Sequence, residues 1–124
     1  MYMDNKNFLT KSIKPGEIVP VTTKHQLKNI LNNNSKVIVK FEGVWCKPCH
    51  KISRFYEQIS REYHGKLLLC KVDIDLAEEL TKREKIESVP TFKFYCRGKL
   101  TNITTGASEE KLTEAIKNLM ENRD

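Results

Sequence analysis

The chain has 124 residues, 39% of them apolar and 31% charged, which suits one domain with one core and excludes collagen-like and disordered classes. Its 22 basic and 16 acidic residues give a net charge of +6. That charge is scattered and accompanied by no nucleic-acid motif, so it reads as a solvated surface that biases partner choice and not as a nucleic-acid interface. No apolar run approaches the about 18 residues of a membrane span.

Residues 1–16 are polar and end in Pro15-Gly16, which predicts an N-terminal arm, flexible and without chemistry, ahead of a domain at 17–122. Its start lacks the apolar core of a secretory signal and the Arg-rich character of a transit peptide. The segment Glu121-Asn122-Arg123-Asp124 is neither a retention nor a prenylation motif, so a cytoplasmic setting is expected. Ile18 to Val21 is a short strand candidate whose Pro20 suits a sheet edge. Thr23 and Gln26 form a capping box for a helix carrying Leu27, Ile30 and Leu31 and ending at Asn32-Asn33-Asn34. His25 falls on its exposed first turn and is assigned no role. Val37 to Phe41 is a nearly continuous apolar run, as in a central strand covered on both faces. A helical stripe follows in Ile52, Phe55, Tyr56, Ile59 and Tyr63, stopped by His64-Gly65.

Leu67 to Val72 reads as the next buried strand. Asp75 with Glu78 is expected to cap a third helix bearing Ala77 and Leu80. Thr91 to Cys96 and Leu100 to Thr105 read as an antiparallel hairpin turning at Gly98. Ser108 caps a last helix with the stripe Leu112, Ala115, Ile116, Leu119 and Met120. The order β α β α β α β β α is that of an α/β domain: a mixed sheet of about five strands flanked by about four helices.

The chemistry concentrates in Trp45-Cys46-Lys47-Pro48-Cys49, between the apolar strand and the second helix. Residues three apart in a first helical turn lie on one side, so the two sulfurs can meet. Helix N-termini and Cys-x-x-Cys settings lower a thiol pKa from about 8.5 to roughly 3.5–7.5, which makes Cys46 the candidate nucleophile and Cys49 the resolving thiol. A redox dithiol, half of a zinc site, a haem attachment site completed by His50, and a structural disulfide all use this spacing. Zinc normally draws a second ligand pair, and Cys70 and Cys96 are lone and far apart.

With Trp45-Cys46-Lys47-Pro48-Cys49, four further segments in order resemble the thioredoxin family: Lys71-Val72-Asp73-Ile74-Asp75, Ser88-Val89-Pro90-Thr91, Arg97-Gly98-Lys99 and Thr105-Gly106-Ala107. The resemblance implies the thioredoxin fold and a protein-disulfide reductase that works by thiol–disulfide exchange and contributes to redox homeostasis. It implies that Trp45 shields the dithiol; Pro48, with its fixed φ, limits backbone freedom within the ring. The resemblance further implies that Val89 and a cis Pro90 pair with an extended client segment, with Gly106 and Ala107 lining the same groove. No cofactor or metal is expected beyond the Cys46–Cys49 disulfide. The expected partners are thioredoxin reductase or an equivalent electron donor, and client disulfides of the peroxiredoxin and ribonucleotide-reductase kind. A monomer with no nucleic-acid or membrane partner is expected. A non-catalytic or client-restricted binding module is the alternative, and an oxidase or isomerase of an oxidising compartment is a third.

Several residues depart from the family pattern. Lys47 stands where the family commonly has Gly, and a cation there favours the Cys46 thiolate. Lys40 stands where the family usually has a buried Asp, and Glu42 where it has Trp or another apolar residue. Alternation puts Lys40 and Glu42 on one strand face, so they either form an ion pair under the dithiol or snorkel to solvent. Arg54 replaces a kinking Pro, so the second helix should run straighter. Cys70 and Cys96 are expected to be buried, inert thiols. His50 is either an exposed helix residue or a cation tuning the dithiol.

Overall fold

Residues 13–122 are described by the computed structural model. The expected arm at 1–16 therefore lies largely outside the described residues. At Ile13 the backbone carbonyl already sits 2.8 Å from His64 Nε2, which joins it to the domain.

The elements are β1 (Val19–Pro20), α1 (Lys24–Asn33), β2 (Lys36–Glu42), α2 (Lys47–Glu62), β3 (Leu68–Asp73), α3 (Glu78–Arg83), β4 (Thr91–Cys96), β5 (Lys99–Thr105) and α4 (Glu109–Glu121). They build a sheet of order β1-β3-β2-β4-β5. β1 and β2 run parallel to β3, whereas β4 is antiparallel to β2 and to β5. This is the mixed sheet with four helices expected from the element order. Pro20, which cannot donate to a ladder, sits on the edge strand.

β2 is the middle strand, and Val37, Ile38, Val39 and Phe41 are fully buried. Alternation divides them between two cores. Ile38 packs with Ile52, Tyr56, Phe92 and Ile116 on the side of α2 and α4. Val37, Val39 and Phe41 pack with Leu27, Ile30 and Leu80 on the side of α1 and α3. Lys40 falls on the Ile38 side, facing α2. A second lysine is buried on the opposite face: Lys93 Nζ donates to the Glu84 carbonyl at 2.8 Å and to Glu84 Oε1 at 3.0 Å, holding the end of α3.

The local signals explain most boundaries. Thr23 and Gln26 form the expected capping box, and Ser108 accepts from the Lys111 N–H. Arg97 and Gly98 both have positive φ, as a two-residue hairpin turn matching strand twist requires. One expectation is corrected. Asp75 does not cap α3, which starts at Glu78 with Ala77 as an N-cap lacking a side-chain bond. Asp73 Oδ1 instead accepts the N–H groups of Asp75 and Leu76, making a separate turn before the helix. α2, with Arg54 in place of Pro, is continuous over 16 residues.

Tyr56 ties α2 to the sheet. Its ring is buried, and its hydroxyl donates to the Ile38 carbonyl at 3.2 Å and the Cys70 carbonyl at 2.8 Å. Burial, more than the nearby Cys70 and Glu42, holds the phenol well above its usual pKa. Tyr56→Phe keeps the packing and removes those bonds, so it should lower the urea-unfolding free energy by about 1 kcal/mol without changing the m-value.

Candidate active site

β2 ends at Glu42, and Gly43, Val44 and Trp45 carry the chain to α2. The Cys46 N–H closes this turn on the Gly43 carbonyl at 3.0 Å. Cys46 is the N-cap of α2, and its Sγ accepts the Cys49 N–H at 3.1 Å, taking the place of a capping hydroxyl. The helix therefore directs a free N–H and its positive end at this sulfur. Pro48 fits the first turn, where its missing N–H has no helical partner to lose. Cys46 and Cys49 have Cα atoms 5.3 Å apart and are joined as a disulfide. Lys47 and His50 are exposed beside them. His50 Nε2 lies 2.6 Å from the Val44 carbonyl, which pins the turn from the helix side.

The second wall comes from a distant segment. The Val89–Pro90 bond is cis, and the Val89 carbonyl lies 3.7 Å from Cys46 Sγ. The Pro90 carbonyl accepts the Gly106 N–H at 2.9 Å, which brings the Gly106-Ala107 segment to the same loop. Gly106 has φ +89°, a conformation that favours glycine.

Trp45 is 63% exposed, so it is a surface residue and not part of the core. Its Nε1 donates to Asp75 Oδ2 at 2.8 Å. A Cβ at Gly43 would come within 2.8 Å of the indole, so the ring can lie there only over glycine. Val44 and Leu76, 73% and 77% exposed, add apolar surface next to Trp45 and Asp75. Sequence reasoning missed Asp75 as an indole acceptor because an acidic residue before a helix reads first as a cap. It missed Val44 and Leu76 too, although an apolar residue directly before Trp45 and outside any periodic pattern was a usable signal.

Beneath the dithiol, Lys40 is 1% exposed, and Glu42 retains 24% of its side-chain exposure. Lys40 Nζ donates to Glu42 Oε1 at 2.8 Å, to the Cys49 carbonyl at 3.0 Å and to Ser53 Oγ at 3.0 Å. The lysine does not snorkel: the ion pair is formed, with the ammonium between the carboxylate and the Cys49 backbone. Ser53, unremarked in the sequence, also donates to the Cys49 carbonyl at 2.9 Å. Cys70 and Cys96 are free and buried, in β3 and β4. Among the described residues, no three His, Cys, Asp or Glu side chains cluster as a metal site.

The thioredoxin family model matches residues 17–118. The chain belongs to the thioredoxin family. Thioredoxin 1 of Plasmodium falciparum is 40% identical over 96 residues, covering 77% of this chain and 91% of that protein. The solved structure of P. falciparum thioredoxin matches with a TM-score of 0.77 at 38% identity, covering 82% of this chain and 98% of that one. The Trypanosoma brucei brucei thioredoxin structure matches with a TM-score of 0.81 at 26% identity, covering 90% and 97%. The activity is protein-disulfide oxidoreduction by thiol–disulfide exchange, and like other thioredoxins the chain uses its own disulfide in place of a cofactor. Family members are reduced by thioredoxin reductase and act on client disulfides.

The remaining thiols are separated from this chemistry by burial. Desolvation pushes the Cys70 thiol up to about 12, so little thiolate exists there at neutral pH. After reduction and treatment with iodoacetamide at neutral pH, peptide mass spectrometry should find Cys70 unmodified in the folded protein and modified once urea unfolds it.

Proposed function

We propose that Cys46 is the nucleophile and Cys49 the resolving thiol of a client-facing disulfide reductase. The observation that supports this best is the capping of α2 by Cys46 Sγ, which receives the Cys49 N–H at 3.1 Å. Reduced Cys46 attacks one sulfur of a client disulfide. The Cys46–client bond forms, the client S–S bond breaks, and the other client sulfur leaves and takes a proton. Deprotonated Cys49 then attacks Cys46 Sγ, closing the Cys46–Cys49 disulfide and releasing the second client thiol. Two electrons from a reductase or equivalent dithiol donor restore the pair.

The client segment lies extended across the Val89-Pro90 loop, where main-chain pairing at Val89 holds it beside Cys46. Gly106 and Ala107 leave room for that strand. Trp45 gives a flat apolar face, extended by Val44 and Leu76, and exposed Lys47 adds a cation beside the nucleophile. In this reading the protein is an electron-transport component of a reducing compartment, the cytoplasm, serving peroxiredoxin-like and ribonucleotide-reductase-like clients. The two unpaired buried thiols, Cys70 and Cys96, suit such a compartment.

Reduction of insulin with dithiothreitol as electron source tests the assignment. Wild type should accelerate the reaction. Cys46→Ser should return it to the rate of dithiothreitol alone, and Cys49→Ser should accumulate a mixed disulfide through Cys46, seen as a mass adduct. A folded wild type no faster than the reductant would favour the client-restricted binding module.

A further inference from the structure

The least expected group near the dithiol is the buried ammonium of Lys40. Its three N–H bonds have three acceptors: the Cys49 carbonyl, Ser53 Oγ and Glu42 Oε1. The Tyr56 ring lies 5.7 Å from Nζ. An ammonium so engaged has no lone pair with which to take a proton from Cys49, so it can act only through its charge. We propose that Lys40 is a positioning residue that sets the redox poise of the dithiol, its charge favouring the reduced pair and making the Cys46–Cys49 disulfide more oxidising. The proposal rests on the exchange chemistry assigned above to these two cysteines.

Reduction of the disulfide at a pH where one sulfur is ionised adds two electrons and one proton to the Cys46–Cys49 bond, giving one thiol and one thiolate. The reduced side thus carries a negative charge that the disulfide lacks. A cation docked on the Cys49 backbone and itself only 1% exposed stabilises that side more than the other. The surrounding charges leave this sign intact. From β2, Glu42 is bonded to Nζ through Oε1 at 2.8 Å and to neither cysteine, and with Lys40 it borders a cleft of about 60 Å³ that also touches Ser53, Tyr56, Glu57 and Lys71. Its partial exposure screens it more than Lys40 is screened. From α2, Tyr56 is held neutral by burial and Glu57 is exposed. From β3, Lys71, in register with Lys40, is exposed and of the same sign as Lys40. From β4, the neighbour in register is uncharged Phe92.

The test is the equilibrium constant of the full chain against reduced and oxidised glutathione, with urea unfolding to confirm that each variant is folded. Lys40→Met keeps the stem and removes the charge. It should shift the constant about tenfold toward the disulfide, which is a potential about 30 mV more reducing for a two-electron couple. Glu42→Gln removes the counter-charge and should shift it the other way. A purely structural role predicts lowered stability without shifts of opposite sign. Constants within twofold of wild type for both variants, or shifts of the same sign, overturn the proposal. Should Lys40→Met not fold, Glu42→Gln decides alone, and an unchanged or more reducing constant overturns it. The same wild-type protein assayed for insulin reduction judges the exchange chemistry separately: absence of turnover there sinks that reading, while the glutathione constants still judge Lys40.

Discussion

The structure turns on the bond between the Cys49 N–H and Cys46 Sγ. A helix must satisfy its first N–H groups, and this one does so with the sulfur that its sequence places at the N-cap. The same contact starts α2 and fixes one sulfur of the dithiol, so the element that builds the fold and the element that carries the disulfide cannot be separated. Everything around it fixes where that N-terminus lies. β2 runs through the middle of the sheet and ends beneath it, Tyr56 holds α2 against β2 and β3, and the Gly43-Cys46 turn is tight enough to admit only glycine under the indole.

The charges near the dithiol are layered. At the surface, Lys47 and His50 face solvent. Below the first turn, Lys40 gathers the Cys49 carbonyl, Ser53 and Glu42 into one knot around a buried ammonium. Removing either member of a buried pair leaves the other charge uncompensated, which is why such pairs are sensitive to single substitutions even when their net stabilisation is small. The sheet repeats the device on its other face with Lys93 and Glu84, but there the ammonium secures a helix end that leads toward the Val89-Pro90 loop.

Much of this was legible in the residues. The apolar run of β2, the Thr23–Gln26 capping box, the Ser108 cap and the hairpin turn depend on short-range chemistry, and they lie where that chemistry put them. Alternation alone set Lys40 and Glu42 on one strand face, and the same periodicity explains why they meet. Asp75 was misread because its partner, Trp45, is 30 residues away and competes successfully with the local role. Lys93 gave no sign of being buried, since a lysine in a hairpin strand normally faces water and only the packing of α3 shows otherwise. Val44 and Leu76 are exposed beside Trp45 and Asp75, whose bond brings two separate loops together. Contacts within a turn were readable from the residues, whereas those joining separate elements were readable only where the family resemblance supplied them, as for the Val89-Pro90 loop beside the dithiol.

The groove is divided along the chain. The reactive sulfurs sit at 46–49, while the backbone that faces them comes from 89–90 and is braced from Gly106. The dithiol and the loop that faces it therefore come from different stretches of polypeptide and meet only after folding. Substitutions in the later loops can reshape the wall opposite Cys46 while the sequence of the dithiol itself stays untouched, so the two halves of the site are free to change separately.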